Sequence, residues 1–402
     1  MSPAPASPRG MHGILFAALL IIGVGNSMLQ PVLPPLAREL GLPDASIGFI
    51  FSLSALFWVV ASPFWGRRSD RVGRRPIVAL GMAAYCVSMG LIALVVVVAR
   101  AGWLAPIAVF IGLMLARAIF GAVGSATGPA AQAYIADRCE PSELIERLAA
   151  LNAAFALGAA VGPALCALIA GKFGLVVPIA LTAVAAGIAA WLVWKQLPEP
   201  EKPAAVERAD SGAAQWALAT SATFLPYLLF GLGLSIVAGT LQQTFTLFLM
   251  DRLHVAGAQA AEQAAAGFIA TAVALLATQI LILPRLKLRA QPLMLIGVGL
   301  LVVGLGVQAA AFDLTWLVAC CVVQGVGFGL ARAGFAGGAM GVTGDDRGAA
   351  SGLIVSANGA GFIFSPITGG MAYDFIHPLA PLAICGVVLA AMAAHVYLTR
   401  AR

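Results

Sequence analysis

The sequence predicts an all-α integral membrane protein, with twelve transmembrane helices in two pseudo-repeated bundles of six. Three observations lead there. The 402 residues are 61% hydrophobic with a mean hydropathy of +0.97, where soluble domains are roughly half apolar. Apolar runs of about 20 residues, enough to cross a bilayer core of about 30 Å, recur along the whole chain. Two glycine-rich patterns in the first half return in the second, offset by 204 and 203 positions.

The runs fall at approximately 13–34, 47–65, 77–98, 104–128, 147–170, 176–196, 218–249, 264–284, 292–312, 314–340, 351–373 and 380–398. Only short loops remain between them, so no soluble catalytic domain is expected. The first run follows Arg9 and His12, lacks a small-residue cleavage site and carries Asn26, Gln30, Pro31 and Pro34. It is about twice as long as a signal-peptide core and reads as a retained span. Between the second and third runs lies Gly66-Arg67-Arg68-Ser69-Asp70-Arg71-Val72-Gly73-Arg74-Arg75, five arginines in ten positions of a chain with 10% charged residues. A short basic loop of this kind stays on the cytoplasmic side.

The fourth run contains Arg117-Ala-Ile-Phe-Gly121-Ala-Val-Gly124, echoed in the tenth by Cys321-Val-Val-Gln-Gly325-Val-Gly327. The fifth contains Gly158-Ala-Ala-Val-Gly162-Pro163, echoed in the eleventh by Gly361-Phe-Ile-Phe-Ser365-Pro366. Small residues let helices approach closely, and Pro163 kinks its span by removing a helix hydrogen bond. The one hydrophilic stretch, rich in Pro, Glu and Lys, suits an exposed linker. It divides the chain into a bundle at 1–197, a linker at 198–212 and a bundle at 213–402. Two six-helix halves with a substrate site between them near the midplane form a transporter architecture.

The net charge of +6 is a topology signal and not a nucleic-acid footprint. With the N-terminus inside, seventeen of the 23 Lys and Arg fall in cytoplasmic segments and four (Arg38, Arg100, Lys172, Arg252) in outer loops. Arg117 and Arg332 fall inside spans. Both termini are therefore expected in the cytoplasm of a cell with this chain in its inner membrane. Cys86, Cys166, Cys320, Cys321 and Cys385 lie in spans and Cys139 in a cytoplasmic loop. No metal-ligand spacing appears, so no disulfide, metal or cofactor is expected. Without HExxH, GxSxG or a pair of membrane aspartates, no enzyme is expected either.

The segment Gly66–Arg75 resembles motif A of the major facilitator superfamily, in its usual place between the second and third spans. Leu197-Pro-Glu199 and Tyr134-Ile-Ala-Asp137 are also common there, and the likeness covers the whole chain. The resemblance implies that Asp70 meets the N-terminal end of the eleventh span, near Gly348–Gly352, where unpaired N–H groups favour an anion. It implies that Arg74 pairs with an acid at the end of the fourth span, with Asp137 the candidate. Together with Gly66, Arg71, Gly73 and Arg75 these residues would form a conformational latch, the glycines serving tight packing or positive φ.

Arg117 lies mid-span, where a charge usually faces a cavity or a partner. Its surroundings resemble motif B, implicated in proton coupling, with Phe120 standing where a glutamine is usual. Gly158, Gly162 and Pro163 resemble motif C of drug exporters, although Cys166-Ala167 replaces a Gly-Gly pair. Arg332 is the second intramembrane cation. Asn26, Gln30, Trp58, Tyr227, Gln242, Gln243, Phe245, Gln324 and Asn358 complete the cavity candidates on the first, second, seventh, tenth and eleventh spans. No carboxylate lies mid-span, so the proton carrier is not identified.

These readings lead to a monomeric antiporter that exports a small amphipathic or organic compound against protons, the bilayer being its other partner. Two alternatives remain at this point: an uptake symporter or facilitator for a metabolite such as an organic anion, and a non-transporting membrane sensor or scaffold.

Overall fold

A computed structural model of the protein describes residues 8–139, 141–199, 216–286, 288–342 and 347–399. Its main helices are α1 (Pro8–Glu39), α2 (Ala45–Val72), α3 (Arg74–Arg100), α4 (Pro106–Ala122), α5 (Thr127–Ala136), α6 (Pro141–Phe173), α7 (Val176–Gln196), α8 (Leu225–Leu253), α9 (Gly257–Ala277), α10 (Ala290–Ala310), α11 (Leu314–Gly341), α12 (Arg347–Phe375) and α13 (Ala380–Thr399). No strand occurs among the described residues. Among the described residues, eleven helical segments are long and apolar enough to cross a membrane, with α4 and α5 counted as one, Pro106–Ala136. The eleventh sequence run is α12, several of whose side chains lie outside the described residues.

Two expectations about element boundaries are corrected. The charged segment after the second span is not a loop, because α2 continues to Val72 and α3 begins at Arg74. Arginine is a good helix former, and Ser69 turns its hydroxyl back to the Gly66 carbonyl at 2.7 Å, so nothing there stops the helix. The stop is Gly73, at φ 115°, ψ 154°, a conformation that L side chains resist. With 28 residues α2 is about 42 Å long, so its charged end projects past a core of about 30 Å. The fourth span is also not one regular helix. Its α-turns end at Ala122, tighten into a 3₁₀ turn at Gly124–Ala126 and resume at Thr127. The Ala122 carbonyl freed at this break accepts a hydrogen bond from the Trp65 indole at 2.6 Å.

The chain forms two compact units, Met1–Val206 with Ala256–Ala265, and Glu207–Val255 with Ala266–Arg402. In the first, α1 lies against α6 so closely that a Cβ on Gly158 would overlap the Leu20 carbonyl. One on Gly162 would overlap the Ser27 hydroxyl. In the second, α8 lies against α12 in the same manner, and a Cβ on Gly361 would overlap Ser235. The glycine–serine pair is inverted there: Ser365 of α12 fills the space beside Gly239 of α8. The fourth and tenth spans correspond as well. A Cβ on Gly121 would overlap the Ser54 carbonyl of α2, and one on Gly325 would lie 2.5 Å from the Thr271 carbonyl of α9. Repeated glycines thus mark repeated seams.

Each unit has its own core. Tyr85, Tyr134, Ile22 and Met28 are fully buried in the first, and Phe224, Phe230 and Phe335 in the second. Leu80, Val87 and Leu94, at seven-residue spacing on α3, are exposed instead, as expected of a helix side turned to acyl chains.

Candidate functional site

Arg74 is the centre of a charged cluster at the junction of α2 and α3. It is the first residue of α3, and its side chain is only 7% exposed. Its Nε donates to Asp137 Oδ2 at 2.7 Å, and its Nη1 pairs with Asp70 Oδ1 at 2.5 Å. The same Nη1 donates to the Ser69 hydroxyl at 2.6 Å. Asp70 reaches it from one turn upstream, an i,i+4 relation carried across Gly73, and Asp137 from the end of α5. A buried guanidinium held by two carboxylates in this way is a charge-assisted network, in which each bond is roughly twice as strong as a neutral one.

Sequence reasoning missed a member of this cluster. Glu199, at the start of the interdomain linker, accepts from the backbone N–H groups of Arg74 at 2.6 Å and Arg75 at 3.1 Å. It caps α3, supplying an anion where the helix presents unpaired donors. A Cβ on Gly73 would lie 2.6 Å from the Glu199 carboxylate, so glycine is needed there for space as well as for φ. The strap bearing Glu199 is tied down by Tyr134, whose hydroxyl donates to the Pro198 carbonyl at 2.8 Å. Arg138 donates to the Glu199 carbonyl at 3.3 Å. The one available signal was a carboxylate just after Leu-Pro at a span end.

The remaining predicted latch residues divide. Arg75 lies 3.9 Å from Glu199 and 5.1 Å over the Trp194 ring. Arg71 is exposed. Gly66 is helical, and an added Cβ would meet nothing nearer than Pro129 at 3.8 Å, so the expected tight packing is absent there. The segment 343–346, just before the expected Asp70 partner at the start of the eleventh span, lies outside the described residues, so the expected contact of Asp70 with the helix end near Gly348–Gly352 falls there too.

Arg117 is the centre of a second cluster, inside the first unit. It is 3% exposed. Nη2 donates to Asn26 Oδ1 of α1 at 2.9 Å. The guanidinium lies 4.7 Å from the Phe120 ring and 5.3 Å from the Phe51 ring. Nε and Nη1 have no hydrogen-bond partner among the described residues. Phe120, one turn along the same helix, offers its π-face to the cation. Tyr85 packs on Phe120 at 4.8 Å and Trp58 at 5.1 Å, so Trp58 is part of the aromatic wall. An intramembrane cation with one amide partner and no acid is suited to hold an anion, or to repel a proton from neighbouring groups.

In the second unit the candidates take different roles. Gln324 of α11 donates to Gln308 of α10 at 2.9 Å, with both buried. It clasps two neighbouring helices. Arg332 is half-buried and lies 5.9 Å over the Phe328 ring. Phe245 stacks edge-on against Phe268 at 5.4 Å, and the Tyr227 ring fills the space beside Gly338, so both are packing residues. Gln243 is buried, while Gln242 and, in the first unit, Gln30 are half-buried. The side chain of Asn358 lies outside the described residues. No group of three His, Cys, Asp or Glu suited to a metal occurs among the described residues.

Comparison with known proteins follows the same lines. The family model of the Major Facilitator Superfamily matches residues 15–301. The chain belongs to the Major Facilitator Superfamily. It is 32% identical over 205 residues to the class D tetracycline resistance protein of Salmonella ordonez, covering 49% of this chain and 48% of that one. It is 32% identical over 170 residues to the multidrug resistance protein MdtG of Proteus mirabilis (strain HI4320), covering 40% and 38%. The matches thus span about half or less of these relatives' length. Among solved structures, the nucleoside transporter NupG superposes with a TM-score of 0.74 at 13% identity, covering 97% of this chain and 98% of that one. A bacterial homologue of the human lysosomal transporter Spinster gives 0.74 at 15% identity, covering 98% and 97%. At such identities the structures share the fold alone. Family and fold are those of transporters.

Proposed function

We propose that this member of the superfamily is an inner-membrane exporter, moving small amphipathic organic compounds outward by alternating access in exchange for protons. The observation that carries the reading is the Arg74 cluster. Two acids and a linker carboxylate converge on one helix junction, where a static scaffold would be served as well by apolar packing. Such a network suits a latch that makes and breaks as the molecule switches states. Export is favoured by the likeness to tetracycline and multidrug resistance proteins. It is also favoured by the close α1–α6 seam at Gly158 and Gly162, with Pro163 beside it. In this reading the chain acts as a monomer with both termini in the cytoplasm.

Arg117 favours a second reading. Its two unpartnered nitrogens suit an organic anion, and a facilitator or symporter for such a substrate would use the same fold.

Everted membrane vesicles carrying an imposed pH gradient separate the two. Addition of an exported compound is expected to release protons from the vesicles in proportion to chain abundance. If no compound in a panel of cationic, neutral and anionic drugs does so, while intact cells accumulate an organic anion through the chain, the export reading is overturned.

A further inference from the structure

We propose that the outer side of α2, at its charged end, is a binding site for an anionic phospholipid. The argument starts from the turn angle of an α-helix, 100° per residue. Val60, Pro63, Phe64, Arg67, Arg68 and Arg71 then share one side of α2, and Ser69 points the opposite way. The structure agrees: these six residues line one groove of ≈ 340 Å³, and Ser69 is buried against the Arg74 cluster.

The groove has two chemically distinct ends. Arg67, Arg68 and Arg71 are exposed, and among the described residues none of the three is ion-paired, in contrast to Arg74 and Arg75 nearby. All three line the one groove, and guanidinium groups present forked donors that match phosphate oxygens. Val60 and Phe64, 66% and 58% exposed, lie one to three turns back toward the middle of the span. From Arg71 to Val60 the rise is about 16 Å, close to the depth from a headgroup phosphate into the acyl region.

A phosphate group attached to acyl chains fits both ends at once. A free phosphate uses only the basic end of the groove, and an acidic peptide does not reach the depth of Val60 and Phe64. Three cations without acids also disfavour a headgroup that carries its own ammonium, so the occupant is a phospholipid with net negative charge. Such juxtamembrane basic clusters attract anionic lipid generally. Here the groove adds a seat for the chain. The assignment does not depend on the direction of transport.

Native mass spectrometry of the purified, delipidated full chain tests the site, titrating phosphatidylglycerol and phosphatidylcholine in turn. The first phosphatidylglycerol is expected to bind at least fivefold more tightly than the first phosphatidylcholine. The combined Arg67→Gln, Arg68→Gln and Arg71→Gln substitutions are expected to abolish the preference. Should that variant fail to purify, Arg67→Lys, Arg68→Lys and Arg71→Lys keep the charges that orient the span, and the preference is expected to fall at least twofold. An unchanged preference in the purified variant, or none in the parent chain, overturns the proposal. So does displacement of phosphatidylglycerol by millimolar inorganic phosphate, which would mark a small-anion site.

Discussion

Removing the two acids that hold Arg74 defines a double-substitution cycle whose size follows from the geometry. Asp137 is the better buried, 14% exposed, and its bond is 2.7 Å. Asp137→Asn loses one charge-assisted hydrogen bond while Asp70 still balances the cation, a cost of about 2 kcal/mol. Asp70 is 36% exposed and partly screened by solvent, so Asp70→Asn alone costs about 0.5 kcal/mol. With both gone, a guanidinium 7% exposed is left with one serine hydroxyl, at a cost of about 4 kcal/mol. The difference, about 1.5 kcal/mol, is the interaction energy of the two acids through Arg74, within the range for residues in one network. Denaturation of the detergent-purified protein by increasing SDS, followed by tryptophan fluorescence, measures it. Adding Arg74→Met to the double variant removes the stranded charge and is expected to recover most of the loss. Effects that simply add, within about 0.3 kcal/mol, would show that the acids do not share the cation, and the latch reasoning would fail with them.

Two other substitutions separate structural from functional roles. Arg117→Met removes a buried cation with two unpartnered nitrogens, so SDS resistance is expected to hold or rise by about 1 kcal/mol while transport by reconstituted vesicles is lost. A variant that unfolds, or one that transports normally, refutes the role given to this residue. Glu199→Ala removes the cap on α3 and is expected to cost about 1 kcal/mol. Glu199→Gln keeps an acceptor and is expected to retain at least half of that, and equal losses in the same SDS titration would show that charge alone matters there.

Much of the fold is legible from hydropathy, because a bilayer demands apolar runs of a fixed minimum length and leaves few alternatives. Where the runs end is less legible. Gly66–Val72 reads as a loop by its charge, yet charge does not break a helix that has left the membrane; only the φ of Gly73 does. The break at Val123 is likewise hidden, since Gly121 and Gly124 look like packing residues until the Trp65 indole is seen on the Ala122 carbonyl. The Arg74–Asp137 pair, distant in sequence, is expected only through the family resemblance, and the Asp70–Arg74 pair emerges only once the charged segment is seen to be helical. Gln324 reads as a cavity residue because its partner Gln308 belongs to another span, and no periodicity reveals a cross-helix amide pair. Glu199 escaped for the same reason, its partners being backbone groups of Arg74 and Arg75 across the unit.

The inverted glycine–serine pairs at the two seams carry a historical consequence. One seam places the hydroxyl on its first helix, at Ser27 facing Gly162, and the other on its last, at Ser365 facing Gly239. Descent from one ancestral half requires at least two changes in all, both in one lineage or one in each. Passing through serine on both helices would force two hydroxyls into room for one, whereas passing through glycine on both leaves only a small gap. The permitted route between the halves therefore ran through emptiness, and an ancestor rebuilt with glycine at both positions should still close its seam.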